Sequence, residues 1–262
     1  MKKILFLVLM IALLSLSSCF ELDNWDEPDC TWKGIVTDSY TNEPLLSSQN
    51  DWQIRIWERS WSGLENGAST HQDLRIKQDG TYQNTKLIAG TYDFLPYNGP
   101  FWPEDTIKGL MLKKDLEYNF TVTPYLQIVD SKIELVSENG KYYIKTAFKV
   151  KAPLLEKNGK PLPRLYEMRP FVSLSTFCGN GTDSSLGLSE YNDHVRIRPD
   201  NNAQNSWESL ISNGPGNNTT PEYSFGLMPV KNGYTYYVRI GAAVDDPYRK
   251  HCYSPIVKID VP

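Results

Sequence analysis

Histidine is almost missing from this sequence. His71, His194 and His251 stand far apart, so they cannot supply the closely spaced ligands of a zinc centre. Asp193 precedes His194, but neighbours in a strand point to opposite faces, which breaks an acid/base pair. H-E-x-x-H, G-x-S-x-G, P-loop and dinucleotide-binding patterns are lacking as well. The expectation is a chain that is not an enzyme and that uses no metal or cofactor. Asp245-Asp246 could offer oxygen ligands to calcium but reads better as a solvated loop pair. Basic clusters are missing too: 27 Lys and Arg face 31 Asp and Glu, for a net charge of −4. Without a basic stripe, nucleic acid and anionic lipid surfaces are poor partners. Helical periodicity is scarce beyond the first twenty residues, which leaves little room for a bundle or an α/β fold.

One long apolar run is present, from Ile4 to Leu16 behind Lys2 and Lys3. It is shorter than the about 20 residues that span a bilayer and suits a signal-peptide core. The run closes on Leu16-Ser17-Ser18-Cys19, which resembles the bacterial lipobox, where the thiol is acylated and becomes the mature N-terminus. Residues 1–18 are then the signal peptide and Cys19 the lipidation site. Each buried lipid CH₂ contributes about 0.8 kcal/mol, so two or more chains anchor stably. Glu21, Asp23, Asp26, Glu27 and Asp29 follow. A stretch so acidic buries too little to fold, and residues 19–30 read as a tether. Its acidity resembles the signal that sends Bacteroidetes lipoproteins to the outer face of the outer membrane.

Aromatic side chains are plentiful, with 16 Tyr, 9 Phe and 7 Trp, and Gly and Pro punctuate the chain at 17 each. Short alternating runs between turn residues predict an all-β protein. In residues 31–123, "TWKGIVTD" leads into the turn-rich "SYTNEPL". In "DWQIRIWERSW", Trp52, Ile54 and Ile56 share one face while Gln53, Arg55, Trp57, Arg59 and Trp61 share the other. Asp79-Gly80 predicts a hairpin turn, Gly90 a second turn, and Leu116, Tyr118, Phe120 and Val122 line a closing strand. Seven or so strands without helices form a sandwich.

Gly34-x-Val36-x-Asp38-x-x-Thr41-x-x-Pro44-Leu45, then Asp79-Gly80-x-Tyr82, Leu87 and Gly90-x-Tyr92, resemble the carboxypeptidase regulatory-like, or transthyretin (prealbumin)-like, sandwich. Such domains are structural or adhesive modules, so the resemblance carries no catalytic residue. With the lipobox and a second sandwich, the chain resembles an uncharacterised two-domain family of Bacteroidetes lipoproteins. Members stand beside starch-utilisation-type receptors and TonB-dependent transporters. The resemblance therefore implies a polysaccharide-uptake context, with the transporter and its surface receptor lipoprotein as partners.

Pro124 closes the first domain, because proline cannot donate to a ladder. In residues 124–262, "IVDSKIELV" and "KYYIKTAFKV" flank "SENG" as a hairpin, "RPFVSLSTF" is a strand, and Asp193 to Ile197 is a short one. "PDNNAQN" and "NGPGNNTTPE" read as polar loops. Near the end, Tyr234, Tyr236, Val238, Ile240 and Ala242 alternate against Tyr237 and Arg239. This segment is similar to the last strands of fibronectin type III domains, with Tyr236 as the corner tyrosine whose hydroxyl ties a loop down. The safer expectation is an immunoglobulin-like sandwich.

An exported chain sits where disulfides persist, and Cys178 and Cys252 both fall in the second domain. They form either a disulfide or two buried thiols. Asp105-Thr106-Ile107 resembles the short Bacteroidetes O-glycosylation site at Thr106.

What remains is a surface. Trp57 and Trp61, opposite the core-facing side of their strand, offer flat apolar rings with a polar edge, the shape on which pyranose faces stack. Tyr97, Phe101 and Trp102 lie in the proline-stiffened "LPYNGPFWPED", and stiff loops lose less entropy on binding. These five residues are the candidate contacts for an oligo- or polysaccharide. The competing expectation packs one set against the other or against the second domain. The chain is thus expected to be a non-catalytic glycan-binding accessory, the alternative being a structural subunit of a transporter complex that touches no sugar.

Overall fold

The computed structural model describes residues 27–60, 70–180, 196–198 and 206–262. The signal peptide, Cys19, most of the acidic tether, Trp61, Asp193 and His194 lie outside them. No helix among the described residues is long and apolar enough to cross a membrane.

The chain forms two β-sandwiches. In the first, β1 (Cys30–Asp38) pairs with β4 (Thr81–Leu87) on one side and with β7 (Asp115–Glu117) and β8 (Phe120–Val122) on the other. The facing sheet has the order β3-β2-β5-β6, from β2 (Gln53–Glu58), β3 (Gln72–Arg75), β5 (Gly90–Tyr97) and β6 (Ile107–Leu112). Trp52, Ile54 and Ile56 are sealed in the core with Trp32, Tyr82 and Phe94. The edge of Trp32 meets Phe94 at 5.2 Å, a geometry that aromatic quadrupoles favour.

Asp79-Gly80 does turn the chain, with Gly80 at φ +81°, but it makes no extended hairpin. One bridge joins Ile76 to Tyr82; then β3 continues beside β2 and β4 beside β1. The turn carries the chain from one sheet to the other because both flanking runs have an apolar face to bury, and a sandwich provides two inner faces.

In the second sandwich, β9 (Gln127–Glu138), β10 (Lys141–Lys151) and β14 (Met228–Val230) form one sheet in the order β14-β10-β9. The opposing sheet joins β13 (Leu165–Ser173), β15 (Thr235–Val244), β16 (His251–Tyr253) and β17 (Val257–Asp260). A small hairpin, β11 (Glu156–Lys157) with β12 (Lys160–Pro161), lies between. Asn139 and Gly140 both have positive φ at the β9–β10 turn, the conformation a tight hairpin requires. Tyr236 is buried and its hydroxyl accepts a 3.1 Å bond from Lys231 N, as a corner tyrosine should. Tyr234, expected on the same face, stands exposed just before β15. Between the two polar loops, in residues for which no element was expected, the described residues include a short helix, α1 (Trp207–Ile211), capped by Ser206. Trp207 anchors it in the core and donates Nε1 to Pro163 O at 2.8 Å.

Cys178 and Cys252 are free buried thiols, so the disulfide reading is corrected. They occupy opposite faces of one sheet. Cys252 pairs with Ala242 and packs among Ile240 and Val244. Cys178 packs with Phe171 and Tyr253 on the other face and donates to the carbonyls of Phe171 and Tyr237. A disulfide needs its Cα atoms within about 7 Å and its Cβ vectors converging, and a strand between the two thiols prevents it.

The two sandwiches are docked tightly. Phe101 and Trp102 are consecutive, and alternation sends them into different cores: Phe101 edge-on to Trp52 at 5.1 Å, Trp102 against Tyr125 at 5.4 Å. Lys250 reaches across to Asp51 at 2.9 Å, and Gln78 of the first sandwich bonds Thr176 O and Cys178 N of the second.

Candidate functional site

Register places the outer face of the β3-β2-β5-β6 sheet. Gln53 opposes Tyr97, Arg55 opposes Leu95 and Trp57 opposes Asp93 across β2 and β5, while Arg55 opposes Asp73 on β3. Trp57 and Tyr97 therefore share this face, about 13 Å apart at the ~3.3 Å rise of a strand. Arg55 stands between them, its guanidinium 4.0 Å from the Tyr97 ring centroid. Two parallel bonds of 2.9 and 3.2 Å tie Arg55 to Asp73, which balances its charge and fixes its plane. Trp57 is half-buried, with its edge toward His71 at 6.3 Å.

Beyond Tyr97 the face runs into the interdomain seam. Tyr248, 43% exposed, comes from the loop between β15 and β16 and meets Tyr97 at 6.0 Å between ring centroids. The two rings border a cleft of about 170 Å³ that Pro96, Asn98, Glu104 and Asp246 also line. Asn98 has φ +61°, a conformation asparagine tolerates, and its Oδ1 is buried without a partner. Asp246 Oδ1 accepts from the backbone N of Tyr248 and of Arg249. Burial pushes the Asp246 carboxyl pKa up, with those bonds opposing. Glu104 holds Lys157 at 3.2 Å.

The five sequence candidates separate. Trp57 and Tyr97 lie on one accessible face. Trp102, at 3% exposure, is a core residue of the second sandwich and is corrected out of the surface; Phe101, at 4%, is packed in the first core and presents only its margin to the cleft it lines. Trp61 lies outside the described residues. Tyr248, Asn98 and Arg55 were missed, and their only signal was the two-residue period that puts Arg55 on the face of Trp57. Asp245 and Asp246 belong to a structured turn, with Asp245 held by Arg249 at 2.8 Å. No group of three or more metal-ligating side chains exists among the described residues. Thr106 is exposed just ahead of β6.

Residues 30–123 match the sequence model of the N-terminal domain of a protein of unknown function, DUF3823. Among curated proteins, none matches the chain. The fold resembles that of a Bacteroides uniformis protein provisionally assigned to carbohydrate binding, with 25% identity and a TM-score of 0.65 over 89% of this chain and 100% of that one. A DUF3823 family protein from Bacteroides uniformis superposes with a TM-score of 0.62 at 20% identity, and one from Parabacteroides merdae with 0.61 at 16%. Each spans 90% of this chain and all of its own.

Proposed function

We propose that this chain is a non-catalytic glycan-binding lipoprotein, held by acyl chains on Cys19 at the outer membrane and facing the exterior. It would serve a polysaccharide-uptake system beside a TonB-dependent transporter and its receptor lipoprotein. The observation that carries the reading is the continuous face from Trp57 across Arg55 and Tyr97 to Tyr248 and its cleft. Rings spaced about 13 Å apart match a short oligosaccharide better than a single sugar. The B. uniformis relative provisionally assigned to carbohydrate binding supports it.

The test is a glycan array with the full chain, followed by titration of the best-bound glycan. Trp57→Ala and Tyr248→Ala should each weaken binding about five- to thirty-fold, the value of an aromatic contact of roughly 1–2 kcal/mol. Unchanged binding in both variants excludes this face. For anchoring, Cys19→Ala should leave the membrane fraction, and its full retention there would exclude the lipid anchor. Mass spectrometry of native material should find Thr106 glycosylated.

A second reading, a structural subunit of the transporter complex, is favoured by the β6 edge, where Ile107 and Met111 are exposed. A free strand edge can pair with another chain. Met111→Lys would then lower co-purification with the transporter and leave glycan binding intact.

A further inference from the structure

We infer that the cleft between Tyr97 and Tyr248 admits one neutral, hydroxyl-rich sugar ring and turns away uronic acids and sulfated sugars. This inference rests on the glycan-binding reading above and names the ligand class for that site.

The lining decides it. Two tyrosine rings supply apolar walls, and the cleft's about 170 Å³ is well below the roughly 300–1,000 Å³ of a drug-sized pocket. That is room for one ring, with the rest of an oligosaccharide lying along the outer face toward Trp57. The polar groups that reach the cleft are rich in acceptors. Asn98 lines the cleft and carries one buried acceptor, Oδ1, without a partner among the described residues. Asp246 lines the cleft and commits Oδ1 to two backbone N–H groups. Glu104, which also lines the cleft, accepts from Lys157 Nζ and Thr123 N through Oε1. Sugar hydroxyls donate to carboxylate oxygens such as these.

Among the described residues, no Lys or Arg lines the cleft. Cations bound to its lining residues or beside them in sequence or space are matched by carboxylates: Lys157 by Glu104, Arg249 by Asp245 and Arg55, stacked on Tyr97, by Asp73. An incoming carboxylate or sulfate would meet the Asp246 charge in a partly desolvated site, where like charges repel strongly. It would find no guanidinium free to form the paired bonds that acidic groups need. Such a ligand should bind at least about tenfold more weakly than its neutral counterpart.

The experiment is an array carrying neutral, uronate and sulfated polysaccharides together, probed with the full chain. The best-bound neutral glycan is then titrated beside the same polymer after its primary hydroxyls are oxidised to carboxylates. The expected result is binding confined to neutral glycans, with oxidation weakening it about tenfold or more. Asp246→Asn keeps an oxygen for the two backbone N–H groups and should shrink the gap between the pair. Glu104→Gln serves the same purpose should the first variant lose thermal stability. Strongest binding to uronate or sulfated glycans, lowered by Tyr248→Ala, would overturn this inference and leave the glycan-binding reading standing. Neutral binding indifferent to Tyr248→Ala would also overturn it, placing the ligand elsewhere. A chain that binds no glycan takes both down.

Discussion

Gly34 and Tyr82 face each other across β1 and β4, and together they hold one carbonyl. The Tyr82 hydroxyl donates to Tyr118 O at 2.5 Å, and that oxygen lies where a side chain on residue 34 would stand: a Cβ there would come within 1.8 Å of it. The spacing Gly34…Tyr82, which carries the family resemblance, is thus a device for packing the chain before β8 against β1. Gly34→Ala should destabilise the first sandwich by several kcal/mol, because backbone must move rather than a flexible side chain. Tyr82→Phe should cost about 1–2 kcal/mol for the lost bond and the buried carbonyl left behind. Chemical denaturation of the two variants measures both, and a stable Gly34→Ala protein would disprove the close approach.

Stability should fall as the solution becomes acidic, because of a buried pair in the seam. His251 Nε2 lies 3.2 Å from Glu167 Oε1, and both side chains are closed to solvent. Phe171 and Tyr253 pack around His251, and Arg169, Arg198 and Asp51 supply the surrounding charges. Burial alone would raise the Glu167 carboxyl, but His251, Arg169 and Arg198 hold it down at about 2 against an ordinary 4.5. Its stabilisation is therefore whole above pH 4.5 and drains away toward pH 2. Burial also lowers His251 below its usual 6.5, with Glu167 opposing, so the unfolded chain binds the proton first as pH drops through 6.5. Both effects carry the same sign. Thermal unfolding from pH 7 to 3 should show a falling Tm. Glu167→Gln should lose the part below pH 4.5 and cost about 3–5 kcal/mol at neutral pH, because the buried Arg169 guanidinium loses its carboxylate.

Trp102 and Trp57 should respond oppositely to truncation. Trp102→Ala empties a core position at the domain seam and should cost about 3–5 kcal/mol. Trp57→Ala, on a half-buried outer face, should cost about 1 kcal/mol or less and act on glycan binding instead. Denaturation midpoints of the two variants would separate a seam residue from a surface residue, and equal losses would contradict the placement of Trp57.

Reductant should leave the fold untouched. Burial pushes the Cys178 thiol up to about 11 and Cys252 up to about 12, so neither is a thiolate at neutral pH and neither should react. Dithiothreitol should not shift Tm, and both thiols should label only after unfolding. A mass two hydrogens short for the oxidised chain would reveal a disulfide and refute the separation across the sheet.

The inner and outer faces of β2 were legible from the residues alone. A strand's two-residue period is a local property, and Trp52, Ile54 and Ile56 had to be buried together whatever lay opposite. The Asn139-Gly140 turn and the Tyr236 corner were readable for the same reason, since few residues accept those conformations or burials. Period could not say what covers a residue from another domain. Phe101 and Trp102 look alike in sequence to Trp57 and Tyr97, yet one packs into the first core and the other into the second. Nor could it join Tyr97 to Tyr248, 151 positions away, or set a strand between Cys178 and Cys252. Local alternation is written in neighbouring residues; burial at a seam and the walls of a cleft belong to pairs of distant surfaces, which only the folded chain brings together.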